Sequence, residues 1–321
     1  MVLNANSKKA RIDELAESTA RSDVDAGGIK DGEGVSLIAS AWERLRRNPM
    51  FIIGAVIVAL IFLMAIFAPL LAPHDPTARD LIDQVSANHQ VPDAQDGYPL
   101  GGDTSGRDLL SRLIYGSRNT LIIAFGATGF AFVGGLILGT LAGALGGWVD
   151  SLVMRIVDIM LSLPSLLLAF SIAAMFGRAS QTTVIVAIGV AMTPTFARLL
   201  RGSMMAQRSS DHVLAARALG VKPSAIVFRH MLPNSLSPVL VQATMVFATS
   251  IIDAAALSFL GAGNPDDTSP EWGQMLGKAQ DLVDAFPHMA VYPALCIIAA
   301  ALGSTLMGES LREALDPKSR R

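Results

Sequence analysis

Few residues of this chain could do chemistry within its apolar stretches, and Asp253 is foremost among them. It lies inside TSIIDAAALSFLG, part of a long run without other charges. An isolated carboxylate in hydrocarbon is costly, so Asp253 either faces a water-filled path, finds a partner, or stays protonated. A pathway or pairing role is favoured over a proton relay. The histidines, His74, His89, His212, His230 and His288, show no ligand spacing with cysteine or carboxylate. Cys296 is the sole cysteine, which excludes a disulfide or a cysteine zinc site within one chain. There is no H-E-x-x-H and no G-x-S-x-G, and the only Gly-Lys pair, Gly277-Lys278, is followed by Ala279 and lacks the preceding glycine of a phosphate-cradling loop. The expectation is a chain with no catalytic residue, no bound cofactor and no metal of its own, and not an enzyme.

A second group of residues has the spacing of a docking device. The segment DHVLAARALGVKPSAIVFRHMLPN, Asp211 to Asn234, is charged and amphipathic and sits between two apolar runs. Asp211 is expected to cap a short helix carrying Val213, Leu214, Ala215, Ala216, Ala218 and Leu219, and Gly220 to end it in a left-handed conformation. Lys222-Pro223-Ser224 breaks and restarts the chain, and a second short helix through Phe228 and His230 is expected to stop at Pro233. A helix-turn-helix between membrane spans can seat a partner protein, the plainer alternative being an ordinary interfacial helix.

These residues must be positioned by apolar helices. Hydrophobic residues make up 51% of the chain and charged ones 16%, against a usual charged share of about a quarter, so the chain reads as a membrane protein. Runs long enough to cross a bilayer fall at 50–72, 119–147, 156–177, 183–200, 237–263 and 288–308. With the N-terminus inside, Arg79, Arg107, Arg112, Arg118, Arg178 and Lys278 lie outside and the rest of the 25 Lys and Arg lie inside. This bias puts both termini in the cytosol. The net charge of -2 argues against a nucleic-acid partner.

Gly135, Gly139, Gly143 and Gly147 recur every four residues in the second span, after Ala127 and Ala131. Small residues let backbones approach closely in lipid, so this face is expected to pack on another helix. Residues 1 to about 33 lack apolar periodicity and are expected to be disordered. Leu37, Ile38, Ala41, Trp42 and Leu45, with Arg44, Arg46 and Arg47 nearby, suit an interfacial helix before the first span. That span follows a polar stretch and lacks a cleavage site after it, so it is expected to remain as an anchor.

Several segments resemble the permeases of ABC importers. Their cytosolic signature runs E-A-A, three residues, G, nine residues, I-x-L-P; Ala215-Ala216, Gly220 and Leu232-Pro233 fall at those places, while Leu214 stands for the Glu and His230 for the Ile. Asp211, three residues from Leu214, supplies an acid on roughly the same helical face. The stretch PLGGDTSGRDLLSRLIYGSRNTL, residues 99–121, resembles the segment before the second span in C-type permeases of peptide transporters, through Gly101, Asp103, Gly106, Arg107, Asp108, Ser111, Arg112, Gly116 and Arg118. Further resemblance lies in Gly146-Gly147-Trp148-x-Asp150 with Arg155, Asp158 and Pro164, in ALSFLGAG and Pro270-x-Trp272-Gly273, and in the closing run from Gly308 to Pro317. For each charged residue near the second span, simple solvation of an interfacial helix is favoured over a substrate contact.

The resemblance, over about residues 45–318, implies an all-α polytopic membrane protein with six transmembrane helices, a type I ABC-importer transmembrane domain. It divides the chain into a cytosolic tail with an interfacial helix (1–49), the first span and external segment (50–117), the transmembrane domain proper (118–308, with a coupling loop at 201–235) and a second cytosolic tail (309–321). It further implies a permease subunit of an ATP-driven dipeptide or oligopeptide importer, nickel systems being related, in a bacterial inner membrane. Implied partners are a second homologous permease, two ABC ATPase subunits that carry the ATP and Mg, an external substrate-binding protein and the lipid bilayer. The alternatives are a proton-coupled secondary transporter using Asp253 and a membrane scaffold that docks without transport.

Overall fold

The structure is a computed structural model, described for residues 42–86 and 90–315. The expected disorder of residues 1–33 and most of the expected interfacial helix lie outside those residues. Among the described residues there is no strand, only the isolated bridges Gln95–Tyr98 and Gly102–Asp108.

Asn48 begins the first long helix among the described residues: its side chain accepts from the N–H groups of Met50 and Phe51, and Pro49 occupies the first turn, where a missing N–H costs nothing. This helix, α1 (Pro49–Ile66), gives way to the short α2 (Ala68–Leu71). The external segment follows, and Asp108 then caps α3 (Leu109–Leu145) by accepting from Ser111 N. At 37 residues, α3 is about 55 Å long, well beyond the roughly 30 Å of a hydrocarbon core. The second span was expected to begin at Asn119; instead Leu109, Leu113 and Ile114 belong to the same helix, which begins about three turns earlier.

The expected third span is broken. α4 (Gly147–Leu161) and α5 (Ser165–Met175) meet at an angle of 97° across residues 162–164. Pro164 lacks an N–H and forces Leu163 away from helical geometry, which accounts for the break. Among the described residues, therefore, five helices are long and apolar enough to cross a membrane, and up to six crossings result if the bent pair counts as one.

α6 (Gln181–Arg208) is capped by Ser180, whose hydroxyl accepts from Thr183 N, and accommodates Pro194 in its interior. After the loop helices α7 (Asp211–Ala218) and α8 (Pro223–Ile226), a π turn at Val227–Met231 leads into α9 (Leu232–Phe259). Pro233 was expected to stop the second loop helix; the chain instead runs on through it. The wider π turn makes room for the proline ring, which would otherwise crowd a carbonyl one turn back. α10 (Trp272–Ala279) lies outside the spans, and α11 (His288–Leu315) continues past residue 308, so part of the expected tail is helical.

The core centres on α3 against α6. A Cβ at Gly135 would stand 2.2 Å from Phe196 Cβ, one at Gly139 2.8 Å from Ala197 O, and one at Gly143 2.9 Å from Met204 Cβ. These three glycines, with the fully buried Ala127 and Ala131, let the two backbones touch. Gly147 does not continue the ladder: it opens α4 at φ +56°, with nothing within 4 Å of its would-be Cβ. A second apolar cluster joins Ile61, Leu109, Leu113, Ile251, Trp272 and Ile297, tying α1, α3, α9, α10 and α11 together.

Candidate functional site

The loop between α6 and α9 is built from the inside out. Val213, Ala216, Ile226 and Met231 are buried in the same apolar cluster as Leu200 and Met204, which seats both loop helices on the membrane bundle. Ser210, not Asp211, occupies the cap position of α7; Asp211 is its first residue, where a carboxylate favours the positive end of the helix dipole. At the other end Val221 N donates to Ala216 O at 3.1 Å and Gly220 N to Arg217 O at 3.0 Å, a Schellman closure with Gly220 at φ +73°. Asn234 Nδ2 donates to His230 O at 2.7 Å and lies 3.3 Å from His212 Nε2, linking the start of α9 to α7.

The apolar set expected on one face of α7 divides in two. Val213 and Ala216 point inward, while Leu214, Ala215, Ala218 and Leu219 point out, with Leu219 83% exposed. Exposed Phe228 joins them, and Arg217, Lys222 and Arg229 are exposed alongside. Leu232 is half-buried and Pro233 exposed. The result is a short rigid projection with an apolar tip and a basic border, a shape suited to a groove on another protein rather than to a reaction.

On the opposite side of the bundle four of the five charged residues that were expected to solvate an interfacial helix, Asp103, Arg107, Asp108 and Arg112, are instead buried, while Arg118 is exposed. Arg107 reaches Asp103 at 2.7 Å and Asp267 at 2.9 Å; Arg112 reaches Asp103 at 3.2 Å and donates to Pro76 O at 3.1 Å. Asp108 and Ser111 close the first turn of α3, and Ser111 Oγ accepts from His74 N at 3.0 Å. Trp272 Nε1 donates to Leu113 O at 2.9 Å, its ring lying where a Cβ on Gly116 would be, 2.7 Å away. Glu271 is buried; it accepts from Gly273 N and Gln274 N to cap α10, and burial pushes its carboxyl above the ordinary carboxylate range. These residues fasten the external loops to α3.

Asp253 sits in α9 with 7% of its surface exposed, and Oδ2 has no hydrogen-bond partner. No cation pairs with it among the described residues. Sequence reasoning missed two ion pairs in the spans: Arg201 grips Asp150 through two bonds of 2.7 and 2.6 Å, and Arg198 bonds Asp158. The signal was available in Arg198 and Arg201, three apart on α6, facing Asp150 and Asp158 on α4. Among the described residues no group of three His, Cys, Asp or Glu could hold a metal ion.

A bundle of helices long and apolar enough to cross a bilayer, with a loop projecting from it, marks a membrane protein. Residues 135–321 match the family described as binding-protein-dependent transport system inner membrane component, and residues 36–92 match the N-terminal TM domain of oligopeptide transport permease C. The chain belongs to this family of permeases. It is 40% identical over 285 residues to the dipeptide transport system permease protein of Alkalihalophilus pseudofirmus, covering 88% of this chain and 91% of that one. It is 40% identical to the di/tripeptide transport system permease protein of Pseudomonas aeruginosa (86% and 91% covered) and 41% identical to the glutathione transport system permease protein of Escherichia coli O157:H7 (86% and 89%). Among solved structures, an inward-facing conformation of the MetNI methionine ABC transporter shares the fold, with a TM-score of 0.53 at 22% identity, covering 64% of this chain and 96% of that one. Membership of a binding-protein-dependent family replaces the alternative of a proton-coupled transporter acting alone.

Proposed function

We propose that the chain is one of two permeases in an ATP-driven importer of short peptides, coupled to ATPase subunits through the loop at residues 211–234. The observation that carries the reading is the apolar tip of Leu214, Leu219 and Phe228, held rigidly by the buried Val213, Ala216, Ile226 and Met231. Three relatives at 40–41% identity are named for dipeptides, di- and tripeptides and glutathione, all short peptides, which supports that substrate class. In this account both termini face the cytosol of a bacterial inner membrane. ATP and Mg are bound and ATP is hydrolysed by two partner subunits; this chain contributes no catalytic group. An external binding protein delivers the peptide to the side bearing the segment 73–108. Closure of the ATPases moves α7 as a rigid body, and because α7 is packed on α6 the motion passes to the spans and exchanges inward- for outward-open states.

The docking assignment is tested by crosslinking. With Cys296→Ser as background, Leu219→Cys should form a crosslink to a cysteine scanned across the ATPase surface in the assembled complex, and ATP should change its yield. A Leu219→Cys chain that assembles with its partners yet crosslinks to no ATPase position would contradict the assignment.

A further inference from the structure

At the end of the bundle opposite the docking loop, α6 and α10 line the same small cavity. About 10 Å³ of it is open to the centre of a water molecule, the scale of a single bound water. Apart from Ile123 of α3, every residue in its wall is polar. Most of those polar groups are already engaged. Asn119 Nδ2 donates to Ser269 Oγ at 3.0 Å and to Pro270 O at 2.7 Å, and the Glu271 carboxylate is held by Gly273 N and Gln274 N. Gln274 is 9% exposed, and its Nε2 donates to Asn264 O at 2.7 Å and Asp266 O at 3.2 Å. Those two bonds fix the orientation of the amide and leave Oε1 as its free end. Gln274 Oε1 is buried with no hydrogen-bond partner, and so is Nε2 of Gln181, the first residue of α6. One orphan is an acceptor and the other a donor, and each costs its desolvation unless a third group meets it.

We propose that this cavity is the binding site of one ordered water, which accepts from Gln181 Nε2, donates to Gln274 Oε1 and so ties the outer end of α6 to α10. The chemistry selects water over an ion. A cation would meet the N–H groups of Gln181, and an anion would meet the oxygens of Gln274 and Glu271, whereas water can serve a donor and an acceptor at once. Its second hydrogen has oxygens to choose from in the buried Ser258 and in Glu271, both part of the same wall. Two to four polar partners are what a buried water needs. The volume leaves no room for a larger molecule. α10 is in turn fastened to α3 by Trp272 Nε1, which donates to Leu113 O, and by the bond of Asn119 to Pro270 O. A bridging water is nearly as favourable as a direct bond, so it gives the start of α6 a hold on this assembly that neither amide makes directly.

The first arm of the test is a map of the complete complex that resolves ordered solvent. It should show one density within hydrogen-bonding distance of both Gln181 Nε2 and Gln274 Oε1; a map without it, or with the two amides bonded directly, would overturn the proposal. The second arm is a double-mutant cycle read in apparent Tm on the purified complex. Gln181→Met and Gln274→Met keep an unbranched side chain and remove the amide. Each single variant should melt lower, because the amide left behind loses its bridge. Gln274→Met also loses the bonds to Asn264 and Asp266, but that loss is common to the single and double variants. The drop caused by Gln181→Met should therefore shrink toward zero in the Gln274→Met background, and an equal drop in both backgrounds would contradict the bridge. A third arm separates water from an ion. The Tm of the unaltered complex should be the same in sodium, potassium and choline chloride at equal ionic strength, whereas a rise in one alkali cation that Gln274→Met abolishes would assign the cavity to that cation and overturn the water.

Discussion

Replacing Gly135 with alanine adds a single carbon at the tightest point between α3 and α6. The new Cβ would stand 2.2 Å from Phe196 Cβ and 3.0 Å from Ala197 N. Ordinary contact begins at 3.4 Å, so the helices must part locally by ~1.2 Å. Phe196 is fully buried and cannot swing aside, because its Cβ is fixed to the backbone. Overpacking of this kind costs about 1–3 kcal/mol, and a clash with a Cβ and a backbone nitrogen belongs at the upper end. Alanine returns about 1 kcal/mol through its better helix propensity, leaving a net loss of about 2 kcal/mol. Gly129 is the internal control: it lies on the same helix with nothing within 4 Å of its would-be Cβ, so Gly129→Ala should be neutral or stabilising by up to about 1 kcal/mol. The difference of about 3 kcal/mol should appear as a gap on the order of 5–10 °C in apparent Tm, measured on the purified complex in detergent by the loss of monodisperse protein after heating. Equal melting of the two variants would refute the assignment of this glycine row to the α3–α6 contact.

Gly220→Val forces a β-branched residue into φ +73°, a strain of about 1–2 kcal/mol; the chain should still insert, but uptake should fall and ATPase activity should cease to follow the loaded binding protein, measured in proteoliposomes. Arg112→Met leaves Asp103 with one cation fewer inside the external network and should cost about 3–5 kcal/mol, read as faster proteolysis from the external side, whereas exposed Arg118→Met should change nothing. Glu271 has its folded-state pKa raised by burial, so its charged form carries a penalty above that pKa which is lifted as pH falls toward the unfolded value. Glu271→Gln should therefore melt relatively better near neutral pH and lose that advantage on acidification; an advantage that grew as pH fell would contradict the assigned burial.

Length and composition made the spans legible because a bilayer demands about 20 apolar residues in each helix, and the spacing of Gly135, Gly139 and Gly143 announced a close helix contact. The loop was legible for a similar reason: Gly220 is a local signal, and its Schellman closure involves only its neighbours. What escaped depends on distant partners. Arg107 looks like a surface charge until Asp267, 160 residues away, is folded onto it. The pairs of α4 with α6 bridge 40 and 51 residues. Pro164 was visible, but a proline alone does not announce the size of the 97° bend, and Pro233 was misread as a stop because a π turn that absorbs it leaves no clear mark in the residue pattern.

The central claim is that this permease moves short peptides with energy from ATP bound on partner subunits. It is tested most directly by uptake of a labelled dipeptide into proteoliposomes holding this chain, a homologous permease and two ATPase subunits, with binding protein outside and ATP inside. The account predicts accumulation that requires both ATP and the binding protein, stops with vanadate and persists with a protonophore. Uptake that proceeds without ATP, or that collapses with the protonophore alone, would contradict it.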